Sequence, residues 1–328
     1  MLQTTLETEM NHLMADYGLD ESNFSICYYN TVTAESYEYN ADAWMVAGST
    51  YKLPLNMYYY ELEMAGEISW DTVIAGYDLA TIHYESIVYS NNELSEALLW
   101  NLGTYEEYKS LMFESYGDFS ETEIEEIAWT GNYYTTGYML DTLQYLYERS
   151  GQFTQLLGYM TEATPNAYFK KYIEDYEIAH KYGAYDTAEN DVGIVYTDEP
   201  YLLAVYTYGL DNGEEVVAQI NEAVCNYNVL AQTSMTEQQE EADIDMSEAE
   251  AIVGHEVEMT SEVVDVSNKA ELLLEETEQM TELAAVAVQR QNTISVIQSF
   301  GKICFSALGI GLVLFLLILI YQKIRYLD

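Results

Sequence analysis

Positive charge is scarce in this chain: 328 residues carry 11 Lys and Arg against 56 Asp and Glu, a formal net charge of -45. Binding to nucleic acid or to anionic lipid headgroups needs clustered cations that release counterions, so nucleic acid is excluded as a partner. Cysteine is also rare. Cys27, Cys225 and Cys304 lie far apart and form neither a disulfide framework nor a zinc-ligand spacing. The four histidines, His12, His83, His180 and His255, make no HExxH-type pair, so neither a metal nor another cofactor is expected. The opening stretch "MLQTTLETEMNHLMADYG" has no basic n-region and no continuous apolar h-region, which rules out reading it as a signal peptide.

Apolar residues, by contrast, make up 49% of the chain, enough for a sizeable core. The 33 tyrosines suit half-buried strands and helix faces, or a groove that handles a polar ligand. Leu6, Met10, Leu13 and Met14 recur at helical spacing before Gly18, which predicts an opening amphipathic helix with a glycine C-cap. "FSICYYN" reads as a strand, "TVTAESYEYNA" as a turn and return strand, and "STYKLPLNMYYYELEMAGEI" as a helix. Mostly helical patterns follow to about residue 170. Strand character returns in "YEIAHKYGAYD", "DVGIVYT" and "YLLAVYTYG", the pattern of an antiparallel meander, before a last helix at "EEVVAQINEAVCNYNVLAQ". Strands from both ends with helices between them predict one α+β domain over residues 1–231, an antiparallel sheet flanked by terminal helices with a helical subdomain.

From about residue 232 to 282 the chain is strongly acidic and has no aromatic residue, which predicts a linker or stalk, placed over 232–300. Leu273, Met280, Ala287 and Ile294 repeat every seven residues, so its second half is expected to be partly helical. "ICFSALGIGLVLFLLILIY" then runs without a charge, long enough for the roughly 30 Å of bilayer hydrocarbon. A transmembrane helix is expected over 301–322, with a short tail at 323–328. Arg290 and Lys302 before the span nearly balance Lys323 and Arg325 after it, so charge alone does not orient it.

Three short stretches carry candidate chemistry. In "STYKLPL" Ser49 precedes Lys52 by three residues, so on a helix the two share one face, and a lysine near a helix N-terminus is biased toward the neutral amine that can accept a proton. The spacing alone is weak, since Ser299 and Lys302 repeat it beside the apolar span and Ser49 could equally be a helix cap. In "YSNNE" Ser90 and Asn92 interrupt a helical run, where a short loop can aim a hydroxyl and a carboxamide into a cleft. In "AHKYGAYD" Lys181 lies on a predicted strand, and Gly183 leaves room for a ligand to approach the backbone.

Ser-x-x-Lys, Ser-x-Asn and Lys-x-Gly, in that order on helix, loop and final sheet, resemble the signatures of the class A β-lactamase-like serine hydrolases, a branch of the penicillin-recognising serine acyl-enzymes. The resemblance spans about residues 5 to 231. It implies that Ser49 is acylated, that Lys52 is its base or proton relay and that Ser90 passes the proton to the leaving group. Asn92 would bind the substrate amide, Lys181 would draw a substrate carboxylate, and the backbone N–H groups of Ser49 and Ala184 would form the oxyanion hole. The implied substrates are β-lactams or peptidoglycan peptides, which would put the domain outside the cytoplasm, anchored by its C-terminal helix. An upstream start codon with a signal sequence is the simpler expected route there.

The departures from the family pattern are chemical. Asn91 stands where an aspartate is usual, and Tyr182 replaces a small hydroxylated residue, so its phenol cannot simply take over a carboxylate-binding role. The stretch "YGDFSETEIEEIAWTGNYYTTG" has no Glu-x-x-Leu-Asn loop, and Glu121, Glu123, Glu125 and Glu126 read as a solvated helix face. Slow deacylation is expected on that account. The alternative is a catalytically weak cell-surface binding or sensing module on the same fold.

Overall fold

The first described helix begins where its cap is encoded. The computed structural model describes residues 5–230, so the stalk, the apolar span and the tail expected beyond them lie outside the described residues. Thr5 accepts a hydrogen bond from the Thr8 amide and opens α1 (Leu6–Tyr17), which Gly18 closes in the left-handed conformation at φ 64°. Strands β1 (Phe24–Asn30), β2 (Ser36–Tyr39) and β3 (Met45–Val46) follow, then α2 (Lys52–Met64). A small hairpin of β4 (Val73–Ile74) and β5 (Tyr77–Asp78) leads into α3 (Leu79–Val88), α4 (Asn92–Leu102), α5 (Tyr105–Tyr116) and α6 (Glu121–Ile127). After β6 (Tyr133–Tyr134) come α7 (Thr136–Glu148) and α8 (Thr154–Glu162). The long strands β7 (Glu177–Tyr185), β8 (Ala188–Tyr196) and β9 (Tyr201–Tyr208) then precede a closing helix α9 over 213–230.

The main sheet runs β2-β1-β9-β8-β7, antiparallel throughout, so the first strand of the chain pairs with the last. Alternation along each strand divides the core. Ile26, Tyr28, Leu203 and Val205 pack with Leu6 and Met10 of α1 and with Val216, Val217, Ile220 and Val224 of α9. Cys27, Leu202, Ala204 and Tyr206 face the other way, into the cluster formed with Met139 and Leu143 of α7 and the rest of the helical subdomain. Each such side chain, fully buried, contributes about 1.5–3 kcal/mol. Among the described residues no helix is long and apolar enough to cross a membrane.

Tyrosine rather than tryptophan fills the subdomain core. Phe113 stacks on Tyr138 with ring centres 3.8 Å apart, and the buried phenols find partners: Tyr108 with Tyr134 at 2.8 Å, Tyr59 with the Leu98 carbonyl at 2.8 Å, Tyr138 with the Met112 carbonyl at 3.0 Å. The four tryptophans instead lie at the surface: Trp44, Trp70, Trp100 and Trp129 are 38%, 66%, 59% and 78% exposed. The predicted α+β order holds over the described residues. Two features were not anticipated, the two-residue ladders β3–β6 and β4–β5 and a 3-10 turn, Gly48–Tyr51, ahead of α2.

Phe113→Ala removes a fully buried ring at the junction of α5 and α7. It is expected to lower stability by about 3–5 kcal/mol, as read from a chemical denaturation midpoint followed by far-UV circular dichroism.

Candidate active site

Ser49 sits on the 3-10 turn, which is pressed against the edge strand β7. Gly48 has φ +57°, and a Cβ there would stand 2.7 Å from the Ala184 amide nitrogen. A Cβ on Gly183 would stand 2.8 Å from the amide nitrogens of both Ser49 and Thr50. Only glycine on both sides permits this approach, which puts the Ser49 and Ala184 stretches of backbone side by side. The turn is also tied down: the Asn132 side-chain amide donates to the Gly48 carbonyl at 3.0 Å, the Ala47 amide donates to the Asn132 carbonyl at 3.0 Å, and the Thr50 hydroxyl donates to the Ala47 carbonyl at 3.0 Å.

Lys52, the first residue of α2, is buried. Its amine donates to the Asn92 Oδ1 at 2.6 Å, lies 3.2 Å from the Ser90 Oγ and also reaches the Ser90 carbonyl. Ser90 lies in the loop between α3 and α4 at φ 56°, a left-handed conformation that costs about 1–3 kcal/mol for a non-glycine residue and here turns its carbonyl and hydroxyl toward one amine. Lys181 of β7, also buried, donates to the same Ser90 Oγ at 3.0 Å and to the Tyr182 carbonyl at 2.9 Å. Residues 52, 90, 92 and 181 therefore meet in one place. The half-buried Ser49 hydroxyl, one turn before Lys52, takes part in none of these hydrogen bonds among the described residues.

Burial depresses both amines. Lys52 is lowered to about 7 by desolvation, which the Glu96 carboxylate partly opposes. Lys181 falls well below the ordinary lysine range, first by desolvation and then by the like charge of Lys52. At neutral pH the pair thus favours one proton or none, and a neutral amine beside a hydroxyl can take a proton from it. A buried polar chain braces the arrangement from behind. Asn56 Nδ2 donates to the Lys52 carbonyl at 2.7 Å and to Ser86 Oγ at 2.8 Å; Ser86 pairs with Ser95 at 2.8 Å, and Ser95 reaches the Asn91 carbonyl. Because Asn56 spends its amide on donation, its Oδ1 accepts from His83 Nδ1 at 2.7 Å. Asn91 itself caps α4, accepting from the Leu94 amide.

The Tyr182 ring borders this cluster without joining its side-chain hydrogen bonds. It stacks on Tyr168 at 5.1 Å within the terminal-helix side of the core, with the Lys181 amine 4.2 Å from the ring centre. Glu121, Glu123, Glu125 and Glu126 are all exposed, and Glu123 is held in a capping box with Ser120. Sequence reasoning missed three residues. Asn132 fastens the Ser49 turn, and no sequence signal marks it. Lys109 of α5 is buried, donating to the Gly131 carbonyl at 2.7 Å and to the Tyr133 carbonyl, with its amine 3.7 Å above the Tyr134 ring; burial lowers it to about 6. Glu96 lies four residues beyond Asn92 on α4, a helical spacing that was available in the sequence.

A family model described as "Beta-lactamase enzyme family" matches residues 5–227. No curated protein matches the chain by sequence. Among solved structures, an engineered variant of the reconstructed last common ancestor of Gram-negative bacterial class A beta-lactamases superposes with a TM-score of 0.59 at 20% identity, covering 70% of this chain and all of that one. An ancestral class A beta-lactamase gives 0.59 at 19% identity, covering 68% of this chain and 99% of that one. A beta-lactamase from Xanthomonas campestris gives 0.57 at 17% identity, covering 67% and 96%. At these identities the likeness is one of fold.

Lys52 and Lys109, neutral in the folded chain above about pH 7 and 6, hold their protons in the unfolded chain up to the ordinary lysine value of 10.5. Folding therefore expels protons, and stability is expected to rise as pH climbs from about 6 to about 8; nearer 10 the buried tyrosines, whose pKa burial raises, keep protons that the unfolded chain gives up and oppose the rise. Thermal unfolding midpoints measured between about pH 6 and about 8 should increase, and Lys109→Met should flatten the slope.

Proposed function

The chain belongs to the beta-lactamase enzyme family, and on that premise we propose that it is a serine hydrolase that forms an acyl-enzyme on Ser49 with a β-lactam or a peptidoglycan-like peptide. The observation that carries this reading is the convergence of two buried lysine amines, from α2 and β7, on the single hydroxyl of Ser90 at 3.2 and 3.0 Å. The neutral Lys52 amine takes the Ser49 proton as Oγ attacks the substrate carbonyl carbon. Backbone N–H groups of Ser49 and Ala184, side by side across the Gly48 and Gly183 contact, receive the developing oxyanion. As the C–N bond breaks, Ser90 gives its proton to the leaving nitrogen and regains one from Lys52. Lys181 supplies positive potential for a substrate carboxylate when protonated, and Asn92 offers its amide to the substrate's own.

Deacylation is slow in this reading. The four glutamates of α6 point to solvent, so that segment lends no carboxylate to activate water. The same observation favours a second reading, a sensing module whose acylated state persists as its signal. The domain acts outside the cytoplasm, attached by the apolar segment 303–321; this rests on the substrate class and on the length and lack of charge of that segment.

Intact-mass spectrometry of the 328-residue chain after exposure to a penicillin should show a mass increase of one acyl group, absent from Ser49→Ala. No adduct with any acylating probe overturns the hydrolase reading. The acylation rate should rise with pH through about 7, as the Lys52 amine loses its proton; a flat profile between pH 5 and 9 would remove Lys52 from the role of base.

A further inference from the structure

An acyl-enzyme with no carboxylate from α6 still faces the helix that bears Asn92. Asn92 is the first residue of α4, and its Oδ1 receives the Lys52 amine at 2.6 Å. Glu96 follows it by four residues, which on a helix puts the two side chains on the same face with about 5–6 Å between their Cβ atoms. The inner face of α4 is taken by Leu94, Ser95, Leu98 and Leu99, all buried, whereas Glu96 is exposed and reachable by water. Its negative charge acts on two groups of the Ser49 segment, the Lys52 amine and the Tyr51 phenol. Two other carboxylates are accounted for. Glu85 accepts from the Asn91 side chain at 3.4 Å, and Glu125 lines an outer groove with Glu106, Glu107 and Trp129.

We propose that Glu96, supplied by α4 one turn beyond Asn92, is the carboxylate that activates water for release of the acyl group from Ser49. This rests on the acyl-enzyme reading above. The water oxygen bonds to the acyl carbonyl carbon while its proton passes to the Glu96 carboxylate. The tetrahedral intermediate then collapses by breaking the bond from that carbon to Ser49 Oγ, which regains, by way of the Lys52 amine, the proton that Glu96 accepted; the carboxylic acid product leaves and both groups return to their starting protonation. An exposed base one turn from the lysine cluster, rather than a buried one held against it, accounts for hydrolysis that is slow but present.

The test is Glu96→Gln, a substitution of similar shape at an exposed position that cannot accept the proton. The parent and variant chains are acylated with a penicillin, freed of excess reagent, and followed by intact mass over time, with the acylation rate measured separately. The expected result is acylation within about three-fold of the parent and an adduct lifetime at least ten-fold longer, in keeping with the about 10²–10⁴-fold contribution of a general base. Equal adduct lifetimes overturn the role of Glu96 while leaving the acyl-enzyme intact, as does a variant slowed only in acylation. No adduct in the parent overturns the acyl-enzyme reading and this role with it.

Discussion

The candidate site depends on two backbones touching without side chains between them. Gly48 and Gly183 let the Ser49 turn lie directly on the edge strand β7, and any Cβ at either position would intrude on the other's peptide groups. That contact joins residues more than 130 apart in sequence and sets how far the lysine of the helix stands from the lysine of the strand. Ser90, between them, can then be shared. Without the contact, the two amines would belong to separate elements and would not share one hydroxyl.

Charge scarcity sharpens the point. In a chain with 56 carboxylic side chains, Lys52 and Lys181 have no carboxylate within hydrogen-bond range among the described residues and are satisfied by carbonyls, a carboxamide and a hydroxyl. Neutral acceptors compensate desolvation only in part, which is why burial pulls both amines down. Lys109 shows the same physics put to a structural use. Its aromatic surroundings and two carbonyl acceptors hold the Gly131–Tyr133 segment, which in turn carries Asn132 to the Ser49 turn.

Much of this was legible from residue patterns. Helical spacing before Gly18, the run "FSICYYN" and the three strands of the meander translate into α1, β1, β7, β8 and β9 because each is long enough to express its period and is bounded by turn residues. The ladders β3–β6 and β4–β5 were not, since two residues have no period, and the pairing of Met45 with Tyr134 depends on the packing of the whole subdomain. In the site, motif order located the residues that converge on Ser90. Position alone could not reveal that Tyr182 stacks on Tyr168 or that Lys109, within a stretch of helical pattern, is interior. Such residues are decided by which face of a strand or helix meets a neighbour, a property of the assembled fold.

The placement of the tryptophans has an optical consequence. With every indole at the solvent boundary and the interior lined by phenols, the native chain should emit near the wavelength of indole in water. Unfolding then leaves that emission colour almost unchanged, and the disappearance of near-ultraviolet ellipticity from ordered tyrosines becomes the spectroscopic signature of a lost core.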